Sequence, residues 1–190
     1  MGESRTERAI DYITKLFQGN GDGHDLAHSL RVYHNAMMIA EMEGQGEEEV
    51  IALSALLHDC DDHKLFHTEN NANARSFLQE EGLSEGRIEE ICRNINSVSF
   101  SKNRGKAPET IEGKIVQDAD RLEAIGAVGI ARCFQFGGSH GRSFENSIEH
   151  FYEKLLLISK ELNTPSARKM AEKRDKLMQD FLKEWGEEMN

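Results

Sequence analysis

Three histidines and an aspartate fall within the dozen positions GHDLAHSLRVYH, residues 23–34, and a second His-Asp pair, His58-Asp59, follows in LLHDCDDHK. Imidazole and carboxylate together can ligate a divalent cation or exchange protons with water. His24 and His28 stand four positions apart, so on a helix they share a face and both reach one centre. With Asp25 between them they spell HDLAH, one methylene short of the zinc-peptidase pattern H-E-x-x-H, whose glutamate must reach a bound water. The shortened acid counts against a peptidase, as does Gly23, which puts His24 at the very start of the helix.

The second pair is placed differently. EEEVIALSALLHDCDD predicts a helix whose apolar face, Val50, Leu53, Ala55, Leu56 and Leu57, ends in His58-Asp59. Such a helix delivers an imidazole and a carboxylate from the floor of a core into a cavity. A buried aspartate beside a histidine carries a desolvation cost that a divalent cation offsets. Asp59, Asp61 and Asp62 also crowd the negative end of the helix dipole, which is unfavourable unless positive charge lies nearby. More carboxylate comes from KIVQDADRLEAIG, where Asp118 and Asp120 interrupt an apolar helix. Two positions apart, they point about 200 degrees from one another, so only one can face a given centre. Asp118 shares a stripe with Ile111, Ile115 and Leu122, and Asp120 shares one with Val116 and Ala124. Periodicity does not choose between them.

The elements that must position these groups are helices. Apolar residues recur at helical spacing as Ile10, Ile13, Leu16 and Phe17, then Leu26, Leu30, Tyr33, Met37 and Met38, then Ile51, Leu53, Leu56 and Leu57, while β-branched alternation is almost absent. QGNGDG, EGQG and EEGLSEGR read as breaks, SFSKNRGKA as a polar loop and FGGSHGRS as another loop. Pro108 suits the first turn of a helix running on to Phe134, with Gly113, Gly126 and Gly129 inside it and one of them a candidate break. FENSIEHFYEKLLLISKEL and SARKMAEKRDKLMQDFLKEW follow as helices, the last with Met170, Leu177, Phe181 and Trp185 toward the body and a solvated face that suits a homodimer contact. The expectation is one all-α domain over residues 1–190, a helical bundle with a metal-binding core at about 20–135 and C-terminal helices at 144–189 packed on it.

A formal net charge of -11 argues against nucleic acid and anionic membranes as partners, since both need a basic face. A small phosphorylated ligand remains compatible if a metal supplies local positive charge. Cys60, Cys92 and Cys133 are odd in number and widely spaced, which suggests buried free thiols rather than disulfides or a CxxC zinc site. The N-terminal stretch is amphipathic, without the apolar core of a signal peptide, and the chain reads as cytoplasmic.

Taken in order, His28, then His58-Asp59, then an aspartate in DADRL resemble the HD-domain superfamily of metal-dependent phosphohydrolases. GHDLAHSLRV, LLHDCDDHK, SVSFSK, IVQDADRLEAIGAVGIARCFQFGG and HFYEKLL extend the likeness over nearly the whole chain after residue 20, toward a bacterial subfamily that includes nucleotide pyrophosphohydrolases. The resemblance implies an all-helical fold and a single divalent ion (Mn, Mg, Co, Ni, Fe or Zn) held by His28, His58, Asp59 and Asp120. His24-Asp25 is then a decoy, with His24 near the open side of the ion, where it holds a phosphate. Asp62 is the candidate for positioning or deprotonating the attacking water, although His63 stands where some relatives carry a second acid. Phosphate oxygens need cations, and Arg31, Lys64, Lys102, Arg104 and Arg121 are the candidates. His140 and Arg142 are weaker candidates for the same mouth, whereas His34, His67 and His150 read as surface or core residues.

The implied activity is hydrolysis of (deoxy)nucleoside triphosphates to monophosphate and pyrophosphate. The alternatives are a nucleoside monophosphate phosphatase, an alarmone hydrolase, or a nucleotide-binding sensor without turnover. The absence of GYP after the HD helix argues against a cyclic-dinucleotide phosphodiesterase.

Overall fold

A computed structural model describes residues 2–19, 25–63 and 65–189, without the side chain of Ser101; His24 and Lys64 lie outside the described residues. Helices α1 (Arg5–Leu16), α2 (Leu26–Glu43) and α3 (Glu48–Leu57) are followed by α4 (Ala72–Glu80), α5 (Glu85–Val98) and the short α6 (Phe100–Asn103). Then come α7 (Ile111–Glu123), α8 (Gly126–Ser139), α9 (Phe144–His150), α10 (Leu156–Ile158) and the long α11 (Pro165–Glu188). Among the described residues there is no strand, as the sequence periodicity implies, and no helix is long and apolar enough to cross a membrane.

The third helix explains the architecture. Every residue from Val50 to Leu57 is buried, so α3 is apolar all round and needs cover on all sides. Ile51 and Ala55 join a core built with α2, α7 and α11, while Val50, Leu53, Leu56 and Leu57 join a second core with α1, α4 and α5. The C-terminal end of α3, carrying His58-Asp59, therefore emerges where the two cores meet.

The elements differ from the sequence reading at several boundaries. The long helix expected from Pro108 starts only at Ile111, because Thr110 is its N-cap and accepts the Gly113 N–H at 3.0 Å. It then breaks into α7 and α8 at Gly126, whose φ of +77° favours glycine. The supposed loop FGGSHGRS is helical as far as Ser139, since Gly137 lets α8 approach α9 closely; a Cβ there would meet Ser147 Oγ at 2.6 Å. Between α9 and α10 the single expected helix passes through a π-helical turn at Phe151–Leu155, and part of SFSKNRGKA folds as α6.

Candidate metal centre

Asp25 caps α2: its carboxylate accepts the backbone N–H of His28 at 2.7 Å. That contact occupies the acid of HDLAH with capping and fixes the first turn from which His28 projects. At the other side, α3 ends at Leu57 and the chain continues in tight turns, Cys60 N–H to Leu57 and Asp62 N–H to Asp59, both at 3.1 Å. The His58 ring lies with Nδ1 2.8 Å from the Ala55 carbonyl oxygen. A carbonyl can only accept, so the proton sits on Nδ1 and the Nε2 lone pair is left for another partner.

That partner position is shared. His58 Nε2 is 3.2 Å from His28 Nε2 and 3.3 Å from Asp59 Oδ2. His28 Nε2 is 3.3 Å from the same Asp59 oxygen and 3.5 Å from Asp120 Oδ1, which is 3.9 Å from His58 Nε2. Donors of His28, His58 and Asp120 all lie within 4.8 Å of one another. Ligands bound at roughly 2.1 Å and at right angles sit about 3 Å apart, so this mixed N/O set fits one divalent cation. Burial works against a charged His58 ring, but the adjacent Asp59 carboxylate outweighs it and raises the ring's pKa above the usual value.

The two aspartates that periodicity left unresolved are now distinguished. Asp118 is fully buried, accepting the backbone and side-chain amides of Asn163 on Oδ1 at 2.8 Å, and the backbone N–H and hydroxyl of Thr164 on Oδ2 at 2.8 Å. Burial pushes its carboxyl above the ordinary value, and these donors offset part of that. It anchors the start of α11, while Asp120 turns to the histidines. Asp61 is likewise structural, accepting the N–H groups of Asn73 and Ala74 at 2.9 and 3.1 Å at the start of α4.

The proposed substrate-binding cations are scattered. Arg31 commits both Nε and Nη2, each at 2.8 Å, to Glu123 Oε1. Arg121 is only 2% exposed; its guanidinium donates to the Glu161 carbonyl oxygen and lies over the Phe100 ring. Those contacts make it a buried brace, which corrects the expectation that it meets a phosphate. Lys102 and Arg104 are exposed near α6, Arg104 reaching Glu161 at 3.6 Å. Asp62 is one turn past Asp59 with a partly exposed side chain, its carbonyl accepting the N–H groups of Leu65 and Phe66. Cys60 is buried packing, and burial pushes its thiol well up.

Two residues escaped the sequence reading. Glu123, 2% exposed, places Oε2 3.0 Å from His28 Nδ1, and Arg132 packs its guanidinium on that same oxygen and 2.9 Å from the same ring nitrogen. A charge inside the apolar run GIARCF was the only available signal for Arg132, and nothing in the spacing tied it to His28.

Comparison with known proteins bears on the family and the fold. The HD domain family model matches residues 25–125. The uncharacterised protein YpgQ of Bacillus subtilis is 35% identical over 189 residues, covering 95% of this chain and 91% of that one. The crystal structure of YpgQ in complex with ADP matches with a TM-score of 0.83 at 30% identity, over 97% of this chain and 94% of that chain. An HD-superfamily hydrolase from Bacillus thuringiensis matches with a TM-score of 0.81 at 34% identity, over 98% and 97% of the two chains.

Proposed function

The chain belongs to the HD domain family and is a metal-dependent phosphohydrolase; from that premise we propose that its substrate is a (deoxy)nucleoside triphosphate, split to monophosphate and pyrophosphate. The observation that carries the reading is the convergence of His28, His58, Asp59 and Asp120, from three helices distant in sequence, on one ion-sized position. The nucleotide class draws support from YpgQ, a relative of similar length whose crystal structure contains ADP.

In this reading the four side chains would hold one divalent cation, which would supply positive charge to a phosphoryl oxygen and acidify water when bound. Asp62 positions a water and takes its proton as the water oxygen attacks the α-phosphorus; the bond to the bridging oxygen breaks and pyrophosphate leaves. His24 and Lys64, outside the described residues, together with the exposed Lys102 and Arg104, remain the proposed contacts to the outer phosphates. Arg31 is omitted because its charge is spent on Glu123.

The test is a panel of nucleoside tri-, di- and monophosphates and alarmones, each with Mn, Mg, Co or Ni, separating pyrophosphate from orthophosphate among the products. Pyrophosphate from triphosphates, lost in Asp59→Ala, is expected. Orthophosphate from monophosphates alone would identify a phosphatase, and tight binding without turnover a sensor.

A further inference from the structure

The far side of His28 holds an arrangement that the hydrolytic reaction does not explain. Its Nε2 faces His58, Asp59 and Asp120. Its Nδ1, on the opposite edge of the ring, faces two groups of opposite hydrogen-bonding character. Arg132 Nη1, which can only donate, is directed at Nδ1 at 2.9 Å. Glu123 Oε2, which can only accept when ionised, lies 3.0 Å away. Glu123 Oε2 is buried and ion-paired with the Arg132 guanidinium, and it accepts no directed hydrogen bond. The other oxygen, Oε1, is fixed by the fork of Arg31.

A neutral imidazole has one ring proton, and the two neighbours demand different places for it. If Arg132 donates to Nδ1, the proton is on Nε2, where the carboxylate oxygens of Asp59 and Asp120 can accept it at 3.3 and 3.5 Å. In that form His28 has no lone pair to offer a cation. If the proton moves to Nδ1, Glu123 Oε2 accepts it and Nε2 is freed as a ligand. His58 has no such choice, since the Ala55 carbonyl fixes its tautomer.

We infer that Glu123 and Arg132 form a tautomer selector for His28, in which Glu123 is the positioning residue that draws the ring proton to Nδ1 when a divalent cation binds, and Arg132 is the donor it must displace. No net proton is gained or lost at the ring; it changes nitrogen, and the hydrogen bond to Nδ1 changes direction. Arg31 holds the carboxylate in place while this happens.

This inference rests on His28 being a metal ligand, and the experiment separates the two. Protein carrying 15N-labelled histidine is titrated with Zn2+ at fixed pH, reading by NMR which ring nitrogen of His28 is protonated, with Zn2+ affinity measured by calorimetry. In the wild type the proton is expected on Nε2 before zinc and on Nδ1 after it. Glu123→Ala is expected to weaken zinc binding about 10- to 100-fold, as for other partners of ligating histidines, with Glu123→Gln losing less because its amide oxygen still accepts. A proton on Nδ1 throughout, ligation through Nδ1, or an affinity of folded Glu123→Ala within about twofold of wild type overturns the selector. The wild-type spectra decide the question even where the alanine variant does not fold. If His28→Ala binds zinc as well as wild type, the metal-site reading fails first and takes the selector with it.

Discussion

Replacing Asp118 and Asp120 with asparagine, one at a time, separates two carboxylates that the sequence offers as equals. Asp118→Asn removes a charged acceptor from buried donors on Asn163 and Thr164, so it is expected to lower unfolding stability by about 1.5–3 kcal/mol in urea while metal binding survives in the folded fraction. Asp120→Asn is expected to do the reverse, keeping the fold and losing most metal affinity and activity, because its oxygen faces His28 Nε2. If both variants lost stability equally with metal binding intact, the assignment of roles would be wrong. The residue scale also shows where sequence reasoning stopped. The ordered set His28, His58, Asp59 and Asp120 was legible through a family pattern. The choice between Asp118 and Asp120 was hidden from periodicity, because both point into protein: one toward the start of α11, the other toward the cluster. Glu123 and Arg132 were invisible, since what makes them part of the site is the packing of α8 against the end of α7.

Two of the elements that carry the proposed ligands can each be tested at its own joint. Asp25 caps α2 by accepting the His28 N–H, so Asp25→Asn, which preserves a capping acceptor, is expected to leave metal affinity and activity nearly unchanged. Asp25→Ala is expected to cost about 0.5–2 kcal/mol of stability and to weaken metal binding by loosening the first turn under His28. An asparagine variant folded but inactive would restore a catalytic role for that acid and, with it, the peptidase-like reading of HDLAH. The corner between α7 and α8 is the second joint. A Cβ on Gly129 would collide with the Ala124 carbonyl oxygen, a backbone atom that cannot swing aside. Gly129→Ala is expected to destabilise the protein by about 1–3 kcal/mol through overpacking, measured by thermal or urea unfolding. The helices themselves were mostly readable, because α1 and α11 carry apolar residues along one stripe and α3 is an almost continuous apolar run. The corner was readable only as a set of three glycines. Deciding that Gly126 makes the break while Gly129 sits in a helix under a close contact requires the positive φ of one and the packing of the other.

At the scale of the molecule, the centre lies on a seam. One core is assembled from α2, α7 and α11 with the segment around Phe151, the other from α1, α4 and α5, and α3 contributes a face to each. The proposed ligands come from α2, from the end of α3 and from α7, so their clustered carboxylates and imidazoles lie where the two cores join. In a chain of net charge -11, gathering Asp59 and Asp120 beside two buried rings sets like charges close together. A bound divalent cation removes that repulsion and ties three helices at one point, while an unfolded chain offers no preformed site. Stability should then track metal occupancy: at a free concentration about 100 times Kd, a cation binding only the folded state adds about 2.7 kcal/mol. Thermal unfolding in Mn2+ is expected at a clearly higher Tm than in a chelator, with the rise scaling as the logarithm of metal concentration. Asp120→Ala should unfold at the same temperature in both. A wild-type Tm indifferent to metal, or a variant that keeps the full rise, would mean that the cluster does not hold the ion on which the seam depends.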